Sequence, residues 1–183
     1  MRFERTNRQK SAKRMNNAVT MPFVTVMAAL VLMYLTPVHD LLVAGSEERV
    51  LFAFAVSGGD NFEIRYHIEE YGVDVANTME KRGNGVAMRE ILITGNPDYM
   101  PDTADMPGAV LTRTPDGCVI TGVDKHYDRI DLTVRRDLGY TLVYGDNTFT
   151  LADYAGESAV VTMYFKKASL MEVMRHRQLN RRR

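Results

Sequence analysis

The sequence predicts an all-β domain of the sandwich or barrel type, preceded by one transmembrane helix and followed by a short basic helical tail. Three observations predict it: a long uncharged apolar segment near the N-terminus, a series of short strand-like segments with turn sequences between them, and a final basic stretch with helical spacing. They divide the chain into a basic cytoplasmic arm (1–15), a transmembrane helix (16–38), an extracytoplasmic β domain (46–166) and a basic tail (167–183).

The 183-residue chain has a formal net charge of zero, but its charges are segregated. Residues 1–15 hold six Lys/Arg and one Glu, residues 46–165 hold ten Lys/Arg and twenty Asp/Glu, and residues 166–183 hold seven Lys/Arg and one Glu. An acidic domain between two basic ends argues against a nucleic-acid-binding protein.

The apolar segment is long enough to cross a bilayer. Residues 15–38 carry no formal charge, and as a helix they would extend roughly 36 Å, against a hydrocarbon core of about 30 Å. A cleaved signal peptide is the alternative, since the strongly apolar centre (23–35) is short and Val43-Ala44-Gly45 supplies small residues for a cut. The basic arm places the N-terminus in the cytoplasm and the domain on the periplasmic or extracellular side.

Two small residues of this segment, Thr25 and Ala29, lie four positions apart. Residues at that spacing share one helix face and let a second helix approach closely in lipid. They are therefore the predicted contacts with a helix of a partner membrane protein. Chance occurrence of this pattern in an apolar helix is the alternative.

From Arg49 onward the pattern is typical of β structure. The segment "NFEIRYHI" alternates apolar and polar positions, which predicts a strand with one buried face. The sequences "RGNG", "TPDG" and "YGDNT" predict tight turns between neighbouring strands. About nine short strands at close spacing favour a sandwich or barrel. In the tail, Leu170, Val173 and Met174 have helical spacing, which fits either a helix on anionic headgroups or a solvated tail.

The segment "RYHIEEYGVDV" holds the main candidate site residues, His67, Glu69 and Glu70. On a continuous strand His67 and Glu69 would share a face, but zinc sites need three or four ligands. Asp124 and His126 are the other candidates, and nothing in the sequence brings them to His67. The chain also lacks the common nucleophile, phosphate-loop and zinc-protease motifs.

We therefore predict no catalytic, cofactor or metal site, and interpret these three residues as a ligand or partner contact. The single cysteine, Cys118, cannot form an internal disulfide and is interpreted as a small core residue.

The stretch "VLFAFAVSGGDNFEIRYHIEEYGV" and the closing "YTLVYGDNTFTLADYAGESAVVTMYF" are similar to the extracytoplasmic β domains called domain-of-unknown-function family 1850. Ile68 and Gly72 stand where that family has serine and proline. The matching positions are Gly59, Asp60, Phe62, Tyr66, His67, Glu70 and Val73. The resemblance covers about two thirds of the chain and implies a partner of a TRAP-type (TAXI) transporter.

These observations favour a non-catalytic, single-span accessory subunit of an integral membrane complex. The alternative is an extracytoplasmic module that binds a small molecule or a metal through His67 and the Pro-rich acidic loop after Thr94.

Overall fold

The computed structural model describes residues 24–47, 49–123 and 125–181. The predicted arm 1–15 and the first part of the predicted span 16–38 lie outside these residues. In chain order the elements are α1 (24–35), β1 (His39–Ser46), β2 (Arg49–Val56), β3 (Asn61–Ile68), β4 (Val73–Arg82), β5 (Gly85–Thr94), β6 (Val110–Thr114), β7 (Gly117–Thr121), β8 (His126–Tyr127), β9 (Ile130–Thr133), β10 (Thr141–Tyr144), β11 (Asn147–Thr150), α2 (Leu151–Ala155), β12 (Val160–Ala168) and α3 (Leu170–Arg181).

The all-β prediction is confirmed, since the described residues form two sheets in which all pairings are antiparallel. The short sheet has the order β2-β1-β12-β9, and the long sheet has the order β11-β10-β3-β4-β5-β7-β6, with β8 also on β5. All three predicted turn sequences join paired strands: β4 to β5, β6 to β7 and β10 to β11.

A common apolar core fills the space between the two sheets. The short sheet contributes side chains such as Phe52 and Met163, and the long sheet contributes others such as Phe62 and Leu142, all of them buried. The far half of the long sheet has a second core, which the loop 95–109 covers with Tyr99 and other side chains. Burial of one face of each sheet explains why alternating sequences such as that of β3 form strands here.

Strand β1 was not anticipated, because the sequence interpretation began the domain at Ser46. It lies inside the short sheet, paired with β12 on one side and β2 on the other. Leu42 and Ala44 face the common core, whereas Leu41 and Val43 lie beneath α3 on the opposite face. A strand buried on both faces shows no alternation, so "HDLLVAGS" reads as a continuation of the preceding apolar run.

The described part of the predicted span forms α1, and residues 36–38 are not helical. Pro37 accounts for this end, because a proline disfavours helical geometry in the residue before it. Thr36 closes the last turn, with its backbone N–H and its hydroxyl both donating to Leu32 O. Among the described residues, no helix combines the length and apolarity that crossing a bilayer requires.

Candidate functional site

The face of the long sheet that points away from the core carries polar side chains across β3, β4 and β5. The antiparallel register sets His67 beside Asp74 and Glu63 beside Thr78. Together these strands form a shallow, open depression of about 510 Å³, which we call the outer groove. Its lining includes Glu63, Arg65, His67, Asp74, Ala76, Thr78, Glu90, Leu92, Thr94 and Thr141.

His67 is held at one end of the outer groove. Its backbone N–H donates to Leu138 O at 2.8 Å, and its Nδ1 lies 2.9 Å from Asp74 Oδ1. The two side chains are 47% and 70% exposed. An ion pair joins Arg65 to Glu63 on the same face at 2.6 Å. Water and salt screen exposed pairs of this kind, so they orient side chains and contribute little to stability.

Glu69 and Glu70 are not part of the strand that carries His67. The sequence pattern placed Glu69 on the same strand face as His67, whereas β3 ends at Ile68 and both glutamates lie in the turn that follows. Tyr71 N–H donates to Ile68 O and Gly72 N–H donates to Glu69 O. Gly72 has φ +61°, a conformation that glycine adopts without the steric cost of a side chain, and this closes the turn.

The structure does not bring the other metal candidates to His67. Asp124 lies outside the described residues, and His126 pairs with Ala87 near the opposite end of the long sheet. Within the described residues, no three side chains of His, Cys, Asp or Glu lie together as a metal-binding group. The pair of His67 and Asp74 therefore has no third ligand among them.

The Pro-rich loop packs against the turn that carries Glu69 and Glu70. Asn96 Nδ2 donates to Tyr71 O at 3.0 Å, and the rings of Tyr99 and Tyr71 lie 5.1 Å apart between centroids. Gly95 N–H donates to Asp116 O, which adds the β6–β7 turn to the same region. The strand register and these turns thereby bring together acidic side chains from separate segments, an arrangement that the sequence does not indicate. We call the resulting exposed set the acidic end: Glu69, Glu70, Asp74, Asp98 and Asp116.

Cys118 is a core residue, as the sequence indicated. Its side chain is buried in the second core beside Ile93 of β5. Burial raises the pKa of the Cys118 thiol, although Arg113 opposes the shift. This buried position fits the predicted role of a small core side chain.

Thr25 and Ala29 both lie in α1 and are exposed, like nearly all of that helix. Its large apolar side chains are exposed on every side, from 46% at Met27 to 70% at Leu32. Both residues therefore belong to the exposed surface of α1.

Comparison of the chain with protein-family models, curated proteins and solved structures found no match. The resemblance to domain-of-unknown-function family 1850 stays a prediction.

Proposed function

We propose that this protein is a single-span membrane protein whose β-sandwich domain lies outside the cytoplasm and serves as a non-catalytic accessory subunit of an integral membrane complex. The observation that carries the proposal is the exposure of α1. A helix that is apolar on all sides is stable only when lipid or other helices surround it. The uncharged run of which α1 is part begins at residue 15, and its length suits a bilayer.

The connection between α1 and the domain supports an anchor that is retained. Only residues 36–38 separate α1 from β1, and β1 is buried within the short sheet. A cut at Val43-Ala44-Gly45 would remove this strand from the core. The basic arm then gives the orientation, with the N-terminus cytoplasmic and the domain periplasmic or extracellular.

A role in interaction fits the character of the described surface. Its polar side chains form exposed ion pairs, and its cysteine is buried. The role needs no cofactor. The resemblance to family 1850 suggests a TRAP-type transporter as the partner complex, with Thr25 and Ala29 as helix contacts and the surface around His67, Glu69 and Glu70 as the contact made by the domain.

Topology is tested with protease added to intact spheroplasts. The β domain should be digested while the arm 1–15 is spared. A domain protected until the membrane is broken would contradict the proposed orientation.

The accessory role is tested by gentle solubilisation and identification of what co-purifies. The double variant Thr25→Leu/Ala29→Leu should insert and fold normally but recover less partner, because larger side chains prevent close helix approach. The matched control is Val26→Leu/Val31→Leu, which enlarges positions on other sides of the same helix. Equal recovery from all three proteins would leave the domain as the sole contact.

The outer groove supports a second candidate, an extracytoplasmic module that binds a small molecule. Its volume of about 510 Å³ falls within the range of ligand pockets, and the pair of His67 and Asp74 supplies a polar recognition group. A ligand-induced rise in melting temperature that His67→Ala abolishes would favour this function over the accessory role.

A further inference from the structure

The end of the domain next to α1 gathers basic side chains that are far apart in sequence. His39 directly follows the link 36–38 and pairs with Ala168, so β1 begins where β12 ends. Helix α3 starts at Leu170, two residues later. The C-terminal basic segment therefore begins beside the point where α1 joins the domain.

The β4–β5 hairpin reaches the same end. Lys81 Nζ lies 3.4 Å from Asp40 Oδ2, and Lys167 Nζ lies 3.1 Å from Asp40 Oδ1. Asp40 thus faces two lysines, and Arg82 follows at the exposed tip of the hairpin. We call Lys81, Arg82, Lys166, Lys167 and Arg175 the basic end.

Three further acids near this end have identified partners, whereas Asp128, next to β8, and Asp146, in the turn between β10 and β11, are exposed. Glu172 lies 3.3 Å from Lys166, and Glu80 lies 3.6 Å from Arg89. Asp60 accepts hydrogen bonds from the Ser57 backbone and from the Tyr144 hydroxyl.

Helix α3 presents apolar as well as basic side chains at this end. It is fixed by a reciprocal cap, in which Ser169 N–H donates to Glu172 and Glu172 N–H donates to the Ser169 hydroxyl. Val173 packs against the short sheet, whereas Met171 and Met174 are 46% and 42% exposed. Two partly exposed methionines therefore stand near Lys166 and the exposed Arg175.

The opposite end of the domain has the opposite charge. Strand β4 runs ten residues from Val73 to Arg82, roughly 33 Å at the usual rise per residue. It begins beside the acidic end and finishes in the basic end. An anionic surface next to α1 would attract the basic end and repel the acidic end, so both charges favour one orientation.

We propose that the basic end docks onto anionic phospholipid headgroups beside α1, with Met171 and Met174 inserted at the headgroup level. This inference rests on the proposed function, because α1 as an anchor puts the bilayer surface near residues 36–38. In the docked domain β4 runs away from the membrane surface. The acidic end then lies far from the membrane, where a partner complex can reach it.

A tryptophan reporter tests the docking in the full chain. The chain contains no tryptophan, so Met171→Trp and Tyr71→Trp each give one signal, at the basic end and at the exposed acidic end respectively. In nanodiscs of phosphatidylcholine with phosphatidylglycerol, Met171→Trp emission should shift to the blue and be quenched by headgroup-labelled lipid. Tyr71→Trp emission should do neither, and quenching of Met171→Trp should weaken in phosphatidylcholine alone.

Charge variants in the Met171→Trp background test the electrostatic part. A basic residue at an anionic surface contributes about fivefold to the docked-to-free ratio, so Arg82→Gln/Arg175→Gln should lower that ratio about 25-fold. The matched control Arg113→Gln/Arg136→Gln removes two exposed arginines far from α1 and should leave quenching unchanged. Equal effects of the two double variants would overturn the proposal.

The remaining outcomes are also decisive. A chain that fails to float with the nanodiscs overturns the anchor and this inference together. An anchored chain whose Met171→Trp emission stays unquenched by lipid overturns the inference alone. A blue shift without lipid quenching would show that protein, rather than lipid, covers the basic end.

Discussion

Removing β1 should prevent the domain from folding, and this distinguishes a retained anchor from a cleaved signal peptide. The test compares a chain that starts at Thr36 with one that starts at Ser46, the product of a cut after Gly45. The first chain keeps β1 and the second loses nearly all of it. In the intact domain β1 pairs along seven residues with β12 and seven with β2.

The expected loss is as large as the stability of a typical domain. Leu41, Leu42 and Val43 are almost fully buried, and burial of such side chains contributes about 1.5–3 kcal/mol each, or roughly 5–9 kcal/mol together. Each hydrogen bond of the two lost ladders contributes about 0.5–1.5 kcal/mol net. Domains of this size are stable by about 5–15 kcal/mol, so little or no stability would remain.

Denaturant unfolding followed by near-ultraviolet circular dichroism measures the difference. The chain from Thr36 should unfold in one cooperative transition, and the chain from Ser46 should show no native signal in the absence of denaturant. Adding a synthetic peptide of residues 36–46 should restore part of the signal if the missing strand is the cause. A cooperative transition of equal midpoint in both chains would refute the reasoning and restore the signal-peptide alternative.

Four further changes have defined outcomes. Ser169→Ala should lower helix stability by about 1 kcal/mol, seen as faster amide exchange in the first turn of α3. The hydrogen bond from the Ser169 N–H lowers the pKa of the Glu172 carboxyl, and this effect outweighs that of burial. The ionised carboxylate therefore stabilises the folded state above the ordinary glutamate pKa, and this stabilisation is lost as the pH falls through the lowered pKa. Glu172→Gln should remove that dependence of stability on acid pH. Tyr144→Phe should lower the free energy of unfolding by about 1 kcal/mol, since the Tyr144 hydroxyl donates to Ala55 O across the two sheets. Burial and a hydrogen bond to Asp60 raise the pKa of Tyr144 to about 12, so the variant should also lose the tyrosine absorbance change expected near that pH. His67→Ala should leave zinc affinity unchanged in calorimetry, because the pair has no third ligand in the described region; tight stoichiometric zinc binding lost in the variant would contradict this.

The sequence predicts strands well where one face of the strand is buried and the other is exposed to solvent. In β3, Phe62 and Ile64 are buried while Arg65 and His67 are exposed, so the alternation is visible. β1 has no such signal, because α3 covers the face that would otherwise be polar. Whether a strand has one solvent-exposed face or none depends on what packs over it. For β1 that element is α3, which lies more than a hundred residues away in the chain.

Individual residues of the outer groove could be predicted from the sequence, but their spatial arrangement could not. His67 was identified from its segment, yet its partner Asp74 depends on where β3 ends and how the turn closes. A strand continuing through Glu69 would have shifted the register and given His67 a different neighbour. One glycine conformation, at Gly72, thus decides which carboxylate faces the imidazole.

The fold brings together basic residues that are far apart in the sequence. Lys81 and Arg82 belong to the acidic block 46–165, where averaging over the block hides them. The two-residue turn Gly83-Asn84 and the ten-residue strands on either side carry them to the end where α1 enters. Deleting two residue pairs from the hairpin would keep the strand faces in phase, since the side-chain period is two. It would also shorten β4 by roughly 7 Å and withdraw Lys81 from Asp40.

If the basic end orients the domain on lipid, the shortened protein should still fold with its core intact. A tryptophan that replaces Arg82 should be quenched by lipid in the parent hairpin. The same tryptophan should not be quenched in the shortened hairpin.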